Sequence, residues 1–261
     1  MRSLNIAATG MQAQQTNVEV ISNNIANMNT TAYTRRRPEF TDLLYQNLRR
    51  VGSQSSDTGT IVPTGIQLGL GVKTTAVYRI TEQGSLESTD NTLDVAVQGR
   101  GYFQVQLPSG ETAYTRDGEF QLSPNGVIVT ADGYTVLPQT TIPTAATSIS
   151  ISGTGQVTYK LDGATAMNTA GQIQLATFAN DAGLEARGDN LYMETPASGQ
   201  PTTANPGSNG FGTVLQGYVE TSNVNVVSEL TNLISAQRAY EMNSKVIEAS
   251  DQMMSTLTSM K

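Results

Sequence analysis

No cysteine, histidine or tryptophan occurs among the 261 residues. Without cysteine no disulfide can form, so the chain must hold its fold in any redox compartment. Without histidine and cysteine, a His–Cys zinc site, a Ser–His–Asp triad and a Cys–His nucleophile are all excluded. Charge is also sparse, at 14% of residues, and the net charge is −7, which argues against general nucleic-acid binding. No apolar run reaches the roughly 18 residues needed to span a bilayer, so no direct membrane insertion is expected. The first residues, MRSLNIAATGMQAQQTN, lack the roughly 7–15-residue apolar stretch of a secretory signal. If the protein leaves the cytoplasm, a route without a cleaved signal peptide is expected.

Hydrophobic residues make up only 38% of the chain, and Thr, Ser, Asn, Gln and Gly fill the gap. That balance is common in secreted, β-rich or self-assembling proteins. Glycine and proline then divide the sequence. All Gly except Gly10 lie between Gly52 and Gly217, and all nine Pro lie between Pro38 and Pro206. Both residues disfavour helix interiors, so the ends read as helical and the middle as strand and turn. Residues 1–50 carry the basic excess and residues 51–220 the acidic excess.

The N-terminal zone carries an apolar stripe at spacing seven: Leu4, Met11, Val18 and Ile25, with Ile21 and Met28 three positions after the last two. This is an a/d heptad seam. It predicts a helix from about Ser3 to about Asn27, weakened near Gly10 by about 1 kcal/mol relative to Ala. Asn23, Asn24, Asn27 and Asn29 suit a helix end, because Asn tolerates left-handed backbone. The C-terminal zone mirrors this pattern. Val226, Leu233, Tyr240, Ile247 and Met254 recur at spacing seven, flanked by a second row of Ala239, Val246, Met253 and Met260. A helix from Asn225 to Met260 would be about 50 Å long and needs a partner for its stripe. A helical hairpin packed on a globular core would satisfy both stripes. Their position at the two extremes of the chain favours a coiled coil of the termini, with the middle displayed separately.

The middle alternates strands with turns. Phe103, Val105 and Leu107 precede Pro108-Ser109-Gly110. Phe120 and Leu122 precede Pro124-Asn125-Gly126. Val127 and Val129 precede Asp132-Gly133, and Tyr134 and Val136 follow. Asn-Gly and Asp-Gly between apolar runs are strong hairpin signals. Ile149 and Ile151 with Val157 and Tyr159 suggest another pair, and Ile173, Leu175 and Phe178 one more strand. Thr195 to Gly212 reads as a long surface loop, and Arg49 to Gly65 as a loose Ser/Thr/Gly-rich segment.

Few residues point to chemistry. Gly99-Arg100-Gly101 resembles part of a dinucleotide loop, but no helix follows to hold a phosphate, and a bend inside a sheet accounts for it equally well. Arg35-Arg36-Arg37 in an acidic chain reads as a solvated face or an interface contact. Asp90, Asp94, Asp117 and Glu119 could form an acid–base pair as in a glycosidase, yet each lies beside a turn signal where Asp caps backbone amides. No segment fits a calcium loop, and no cofactor is expected.

Three segments resemble the rod and hook axial proteins of the bacterial flagellum. Ser22 to Phe40, SNNIANMNTTAYTRRRPEF, is similar to that family's N-terminal signature. Asp90 to Val105, DNTLDVAVQGRGYFQV, and Ala113 to Pro138, AYTRDGEFQLSPNGVIVTADGYTVLP, resemble its shared β domain. Gln216 to Ile247, QGYVETSNVNVVSELTNLISAQRAYEMNSKVI, is similar to the C-terminal signature, with Gln237, Arg238, Tyr240 and Asn243 among the matching positions. The matches run in order along the whole chain.

The resemblance implies an α+β protein whose terminal helices form a coiled-coil layer lining a hollow tube, with a β-rich outer domain of hairpins. The expected divisions are 1–30 for the N-terminal helix, 31–70 for an extended or hairpin linker, 71–220 for the β domain and 221–261 for the C-terminal helix. An additional segment at about 45–65, YQNLRRVGSQSSDTGTIVPTG, is associated in this family with the distal rod. A distal-rod subunit is therefore favoured, with a proximal rod protein as the alternative. The implied partners are further copies of the chain, proximal rod proteins, the hook protein, the surrounding ring proteins and the flagellar type III export apparatus. The implied location is a basal body crossing the periplasm. Two departures stand out: Asn5 where the family commonly has an aromatic residue, and Ala32-Tyr33 where it commonly has Gly-Phe. From other classes, a secreted carboxylate hydrolase with helical arms and a monomeric adhesin remain as competing readings.

Overall fold

The computed structural model describes residues 2–50, 52, 64–163 and 166–260. The chain divides into two units, each assembled from separated stretches. The first comprises Met1–Ala26, Arg36–Arg79 and Asn225–Lys261; the second comprises Asn27–Arg35 and Ile80–Val224. The fold is α+β, with a helix at each end and strands between.

In the first unit, helix α1 (Arg2–Ala26) packs along helix α2 (Val226–Ser259). Both span close to the expected limits. Asn225 starts α2 as N-cap, its side chain accepting from the Ser228 amide at 3.1 Å, with Glu229 in the first turn where the helix dipole favours an acid. A long antiparallel ribbon completes the unit. Strand β1 (Arg36–Asp42) leads into β2 (Tyr45–Arg49), and β3 (Ile66–Gly69) leads into β4 (Val72–Arg79). β1 pairs with β4 from Arg36 opposite Arg79 to Asp42 opposite Val72, and β2 pairs with β3. Helix α1 lies against the β3–β4 corner: the Val72 amide donates to Thr9 Oγ1 at 3.4 Å, and Gly71, at φ +118°, leaves no room for a Cβ beside that hydroxyl. The additional segment expected at about 45–65 begins in β2; most of it lies outside the described residues.

The second unit holds the remaining strands: β5 (Leu86–Ser88), β6 (Val95–Gln98), β7 (Tyr102–Gln106), β8 (Thr112–Thr115), β9 (Phe120–Leu122), β10 (Ile128–Thr130), β11 (Thr135–Leu137), β12 (Ala146–Ile151), β13 (Gln156–Leu161), β14 (Asn168–Gln172), β15 (Leu175–Thr177), β16 (Glu185–Gly188), β17 (Leu191–Met193), β18 (Thr202–Ala204), β19 (Thr213–Gln216) and β20 (Tyr218–Glu220). The main antiparallel sheet runs β16-β17-β8-β7-β11-β10-β9, and β15 joins both β7 and β18. A separate meander β12-β13-β14 and the separate pairs β6–β19 and β5–β20 complete the unit.

Side-chain alternation in the central strands serves two cores, because the sheet is covered on both faces. Phe103, Val105, Ala113, Leu175 and Leu191 enter a large aliphatic core with Val95, Val97, Phe120, Val136 and Val157. Their neighbours Tyr102, Tyr114, Ala176 and Tyr192 point the other way, into an aromatic core with Phe178 and Leu184. Phe103 meets Phe120 edge-to-face at 5.1 Å between ring centroids, and Tyr114 meets Phe178 likewise at 4.8 Å.

Two strand expectations need correction. In the run Val127-Ile128-Val129 the buried residue is Ile128, 2% exposed, because the turn at Gly126 sets the phase one residue later than simple alternation suggested. The segment Thr195–Gly212 is not all loop: Thr202–Ala204 forms a ladder with β15, and Ser198 and Pro206 are buried.

Candidate self-assembly interface

In the helix pair, what touches within one chain is set by small and polar residues. Buried on α1 are Ala7, Ala13, Ile21 and Asn24. Buried on α2 are Glu229, Ala236 and Ser250, with Asn243 half-buried in the same seven-residue row. Gly10 allows the close approach: a Cβ there would stand 3.0 Å from Asn243 Nδ2. Asn24 closes one end of the pair. Its amide oxygen accepts from the Arg36 N–H at 2.9 Å, and its amide nitrogen donates to the Arg36 carbonyl at 2.9 Å and to Glu229 at 3.3 Å.

The apolar stripes lie mostly on the flanks of this seam. Leu4, Met11, Val18, Ile25, Val226, Leu233 and Ile247 are half-buried, whereas Met28, Tyr240 and Met254 are exposed. Ile21 alone among the stripe residues is buried. Val18 and Tyr240 are brought together, lining with Gln15, Glu19, Gln237 and Glu241 a hollow of about 350 Å³. The outer face of α2 is strongly apolar and open: Val227 is 76% exposed, Ile234 51%, Met242 61% and Met253 60%. Among the signature positions, Asn27 caps the following turn, its carbonyl accepting from the Thr30 amide at 3.2 Å, while Asn23, Asn29 and Arg238 are exposed. The residue in left-handed backbone after α1 is Ala32, at φ 56°, and not one of the asparagines.

Two polar locks of the second unit were not anticipated. Arg116 and Glu220 form a buried ion pair, Nε to Oε2 at 2.8 Å. The guanidinium also donates to the carbonyls of Gly99 and Gly101, and Glu220 accepts from the Gly84 amide at 2.9 Å. Asn223 accepts from the Arg35 amide at 2.7 Å and donates to the carbonyls of Ile80 and Glu82, clamping two chain segments of its unit. The only hint of either lock was that Glu220 and Asn223 fall in the C-terminal signature and Arg116 in the β-domain segment Ala113–Pro138.

Of the carboxylates considered for acid–base chemistry, Asp94 is held by neighbouring side chains and Asp117 by a turn amide and a side chain. Asp94 accepts from Thr89 Oγ1 and from Asn91 Nδ2 at 2.8 Å. Asp117 accepts from the Glu119 amide at 3.1 Å and from Asn190 Nδ2 at 3.2 Å. Burial raises the Asp117 pKa above the ordinary carboxylate value, opposed by these hydrogen bonds. Burial, with a smaller contribution from Glu194, pushes the Tyr114 phenol up to about 12. Gly99-Arg100-Gly101 is a bend with both glycines at positive φ, in which Gly99 packs on Gly212.

The chain matches three family models in order: Flagella basal body rod protein over residues 4–34, Flagellar hook protein FlgE/F/G D1 domain over 96–159, and Flagellar basal body rod FlgEFG protein C-terminal over 215–260. It is 60% identical to the flagellar basal-body rod protein FlgG of Caulobacter vibrioides, over 100% of both chains. The chain belongs to the FlgG family of flagellar basal-body rod proteins. The likeness persists at 45% to FlgG of Borreliella burgdorferi and at 40% to that of Bacillus subtilis, with all of this chain and 99% of each relative covered. As a member of the FlgG family the chain is a structural subunit of the distal rod and not an enzyme. No described helix is long and apolar enough to cross a membrane.

Proposed function

We propose that this rod subunit builds a hollow helical shaft by coiled-coil packing of its terminal helices against those of other copies. Torque transmission needs many contacts in parallel, and a helical polymer supplies them through head-to-tail interfaces that never close. The observation that carries this reading is the open apolar face of α2. Val227, Ile234, Met242, Val246 and Met253 stay exposed while a small and polar row faces α1. Burying each such side chain against a neighbour would contribute about 1.5–3 kcal/mol. Leu4, Met11, Val18, Ile25, Leu233, Tyr240, Ile247 and Met254 would add the edges of the same layer.

In the assembled organelle the shaft would join proximal rod proteins to the hook, turn within the ring proteins across the periplasm, and carry export substrates through its channel. Its subunits would arrive through the type III apparatus without a cleaved signal.

The test uses Ile234→Asp and Met253→Asp, both at exposed positions of the single chain. The expected result is an unchanged helical circular dichroism of the isolated subunit, with basal bodies that stop before the distal segment and carry no hook. Complete rods and normal swimming in both variants would overturn the proposal.

A further inference from the structure

The sequence contains two Asn-Gly pairs, Asn125-Gly126 and Asn209-Gly210, and the fold treats them in opposite ways. Asn209 and Gly210 are the central residues of the turn Ser208–Phe211, closed by the Phe211 amide donating to the Ser208 carbonyl at 2.9 Å. Both are exposed. Gly210 has φ +86° and nothing lies within 4 Å of where its Cβ would stand. Its amide has no hydrogen-bond partner among the described residues. Gly126 is buried, its amide donates to the Ser123 carbonyl at 2.8 Å, and its carbonyl accepts from the Ile142 amide at 2.7 Å. The neighbouring Asn125 amide donates to Ser123 Oγ at 3.1 Å.

We propose that Asn209 is a site of spontaneous deamidation, and that the fold shields Asn125 from the same reaction. The backbone nitrogen of Gly210 loses its proton to solvent base and attacks Cγ of Asn209. A C–N bond forms, the side-chain amide nitrogen leaves as ammonia after taking up a proton, and a five-membered succinimide remains. Water then opens either carbonyl of the ring, giving aspartate or isoaspartate. The only co-reactant is water. The attack needs an unpaired, solvated glycine nitrogen, and Gly210 meets both conditions. Gly126 must first break two hydrogen bonds and leave the packed interior, which requires a local opening.

The consequence is local but not trivial. Each event adds a negative charge to a zone that is already acidic. Isoaspartate also lengthens the main chain inside a loop held at both ends, where the Gly207 amide donates to the Gly212 carbonyl at 2.8 Å and the Gly212 amide to the Arg100 carbonyl at 2.7 Å.

The test is peptide mass spectrometry of the folded full-length chain, sampled over time in mildly alkaline buffer at physiological temperature, with a urea-unfolded sample in parallel. Asn209 is expected to convert at least about tenfold faster than Asn125 when folded, and the two rates are expected to converge when unfolded. Asn209→Gln is expected to remove the fast component and leave the slow one. Equal rates in the folded chain, or a faster Asn125, would overturn the proposal. So would a ratio that survives unfolding, because sequence and not fold would then set it.

Discussion

The Asn24 side-chain amide donates to a carboxylate oxygen of Glu229 at 3.3 Å, joining residues 205 apart in sequence. The same Asn24 side chain pairs with both backbone groups of Arg36, as a neighbouring strand would. One buried side chain thus ties the end of α1, the start of α2 and the first strand of the ribbon. Asn24→Ala is expected to lose about 2–3 kcal/mol, because it leaves buried polar partners unsatisfied. Urea unfolding monitored by helical signal measures this. A change under half a kilocalorie would show that solvent replaces these bonds.

The buried Arg116–Glu220 pair makes a sharper prediction. Removing one member strands a desolvated charge, at a cost of about 3–5 kcal/mol, whereas replacing both by apolar residues of similar size removes that charge and leaves only the neutral backbone groups of Gly84, Gly99 and Gly101 unpaired, a smaller loss. Glu220→Gln should therefore unfold at lower denaturant than an Arg116→Met/Glu220→Leu double variant. The reverse order in equilibrium unfolding would contradict the assignment.

Ala32 occupies left-handed backbone, where the Cβ of an L-residue costs about 1–2 kcal/mol. It is 4% exposed, and its amide donates to the Glu220 carbonyl at 2.7 Å. Ala32→Gly is expected to hold or slightly raise the melting temperature. Ala32→Val, which adds branching at Cβ, is expected to lower it by several degrees. Equal melting temperatures for the two variants would mean that this turn relaxes away from positive φ.

Asp117 predicts a pH effect of defined sign. Burial raises its folded-state pKa, so the protonated form is favoured by folding. Its stability contribution is full below the ordinary carboxylate value and is lost as pH rises through the raised folded-state value. The melting temperature of Asp117→Asn relative to the parent should therefore rise as pH goes from acid through that window to neutral. A pH-independent difference between the two proteins would contradict the assignment.

Much of this architecture was legible in the sequence. The absence of Gly and Pro from the last 44 residues, Tyr218 to Lys261, and the seven-residue apolar spacing at both ends specified the two helices, because helix propensity and periodicity act locally. The Asn-Gly and Asp-Gly turns placed the hairpins for the same reason. The signature motifs carried the family, which the full-length likeness to FlgG proteins then established.

Tertiary structure decided what those local signals leave open. The apolar stripes mark both helices as needing a partner, and within one chain Glu229, Ala236 and Ser250 take the buried row of α2. Close approach at Gly10 favours small side chains there, and apolarity alone cannot rank one row over another. Strand phase at Ile128 depended on where Gly126 ended its turn. Two partnerships, Asn24 with Glu229 and Arg116 with Glu220, join residues more than 100 apart in sequence. A buried polar group is costly unless it is satisfied, and only the folded chain determines which partner satisfies it. What the sequence by itself determined was the set of helices, hairpins and family motifs. What only the three-dimensional fold decided was which residues those elements bury against one another, and so which apolar faces stay exposed.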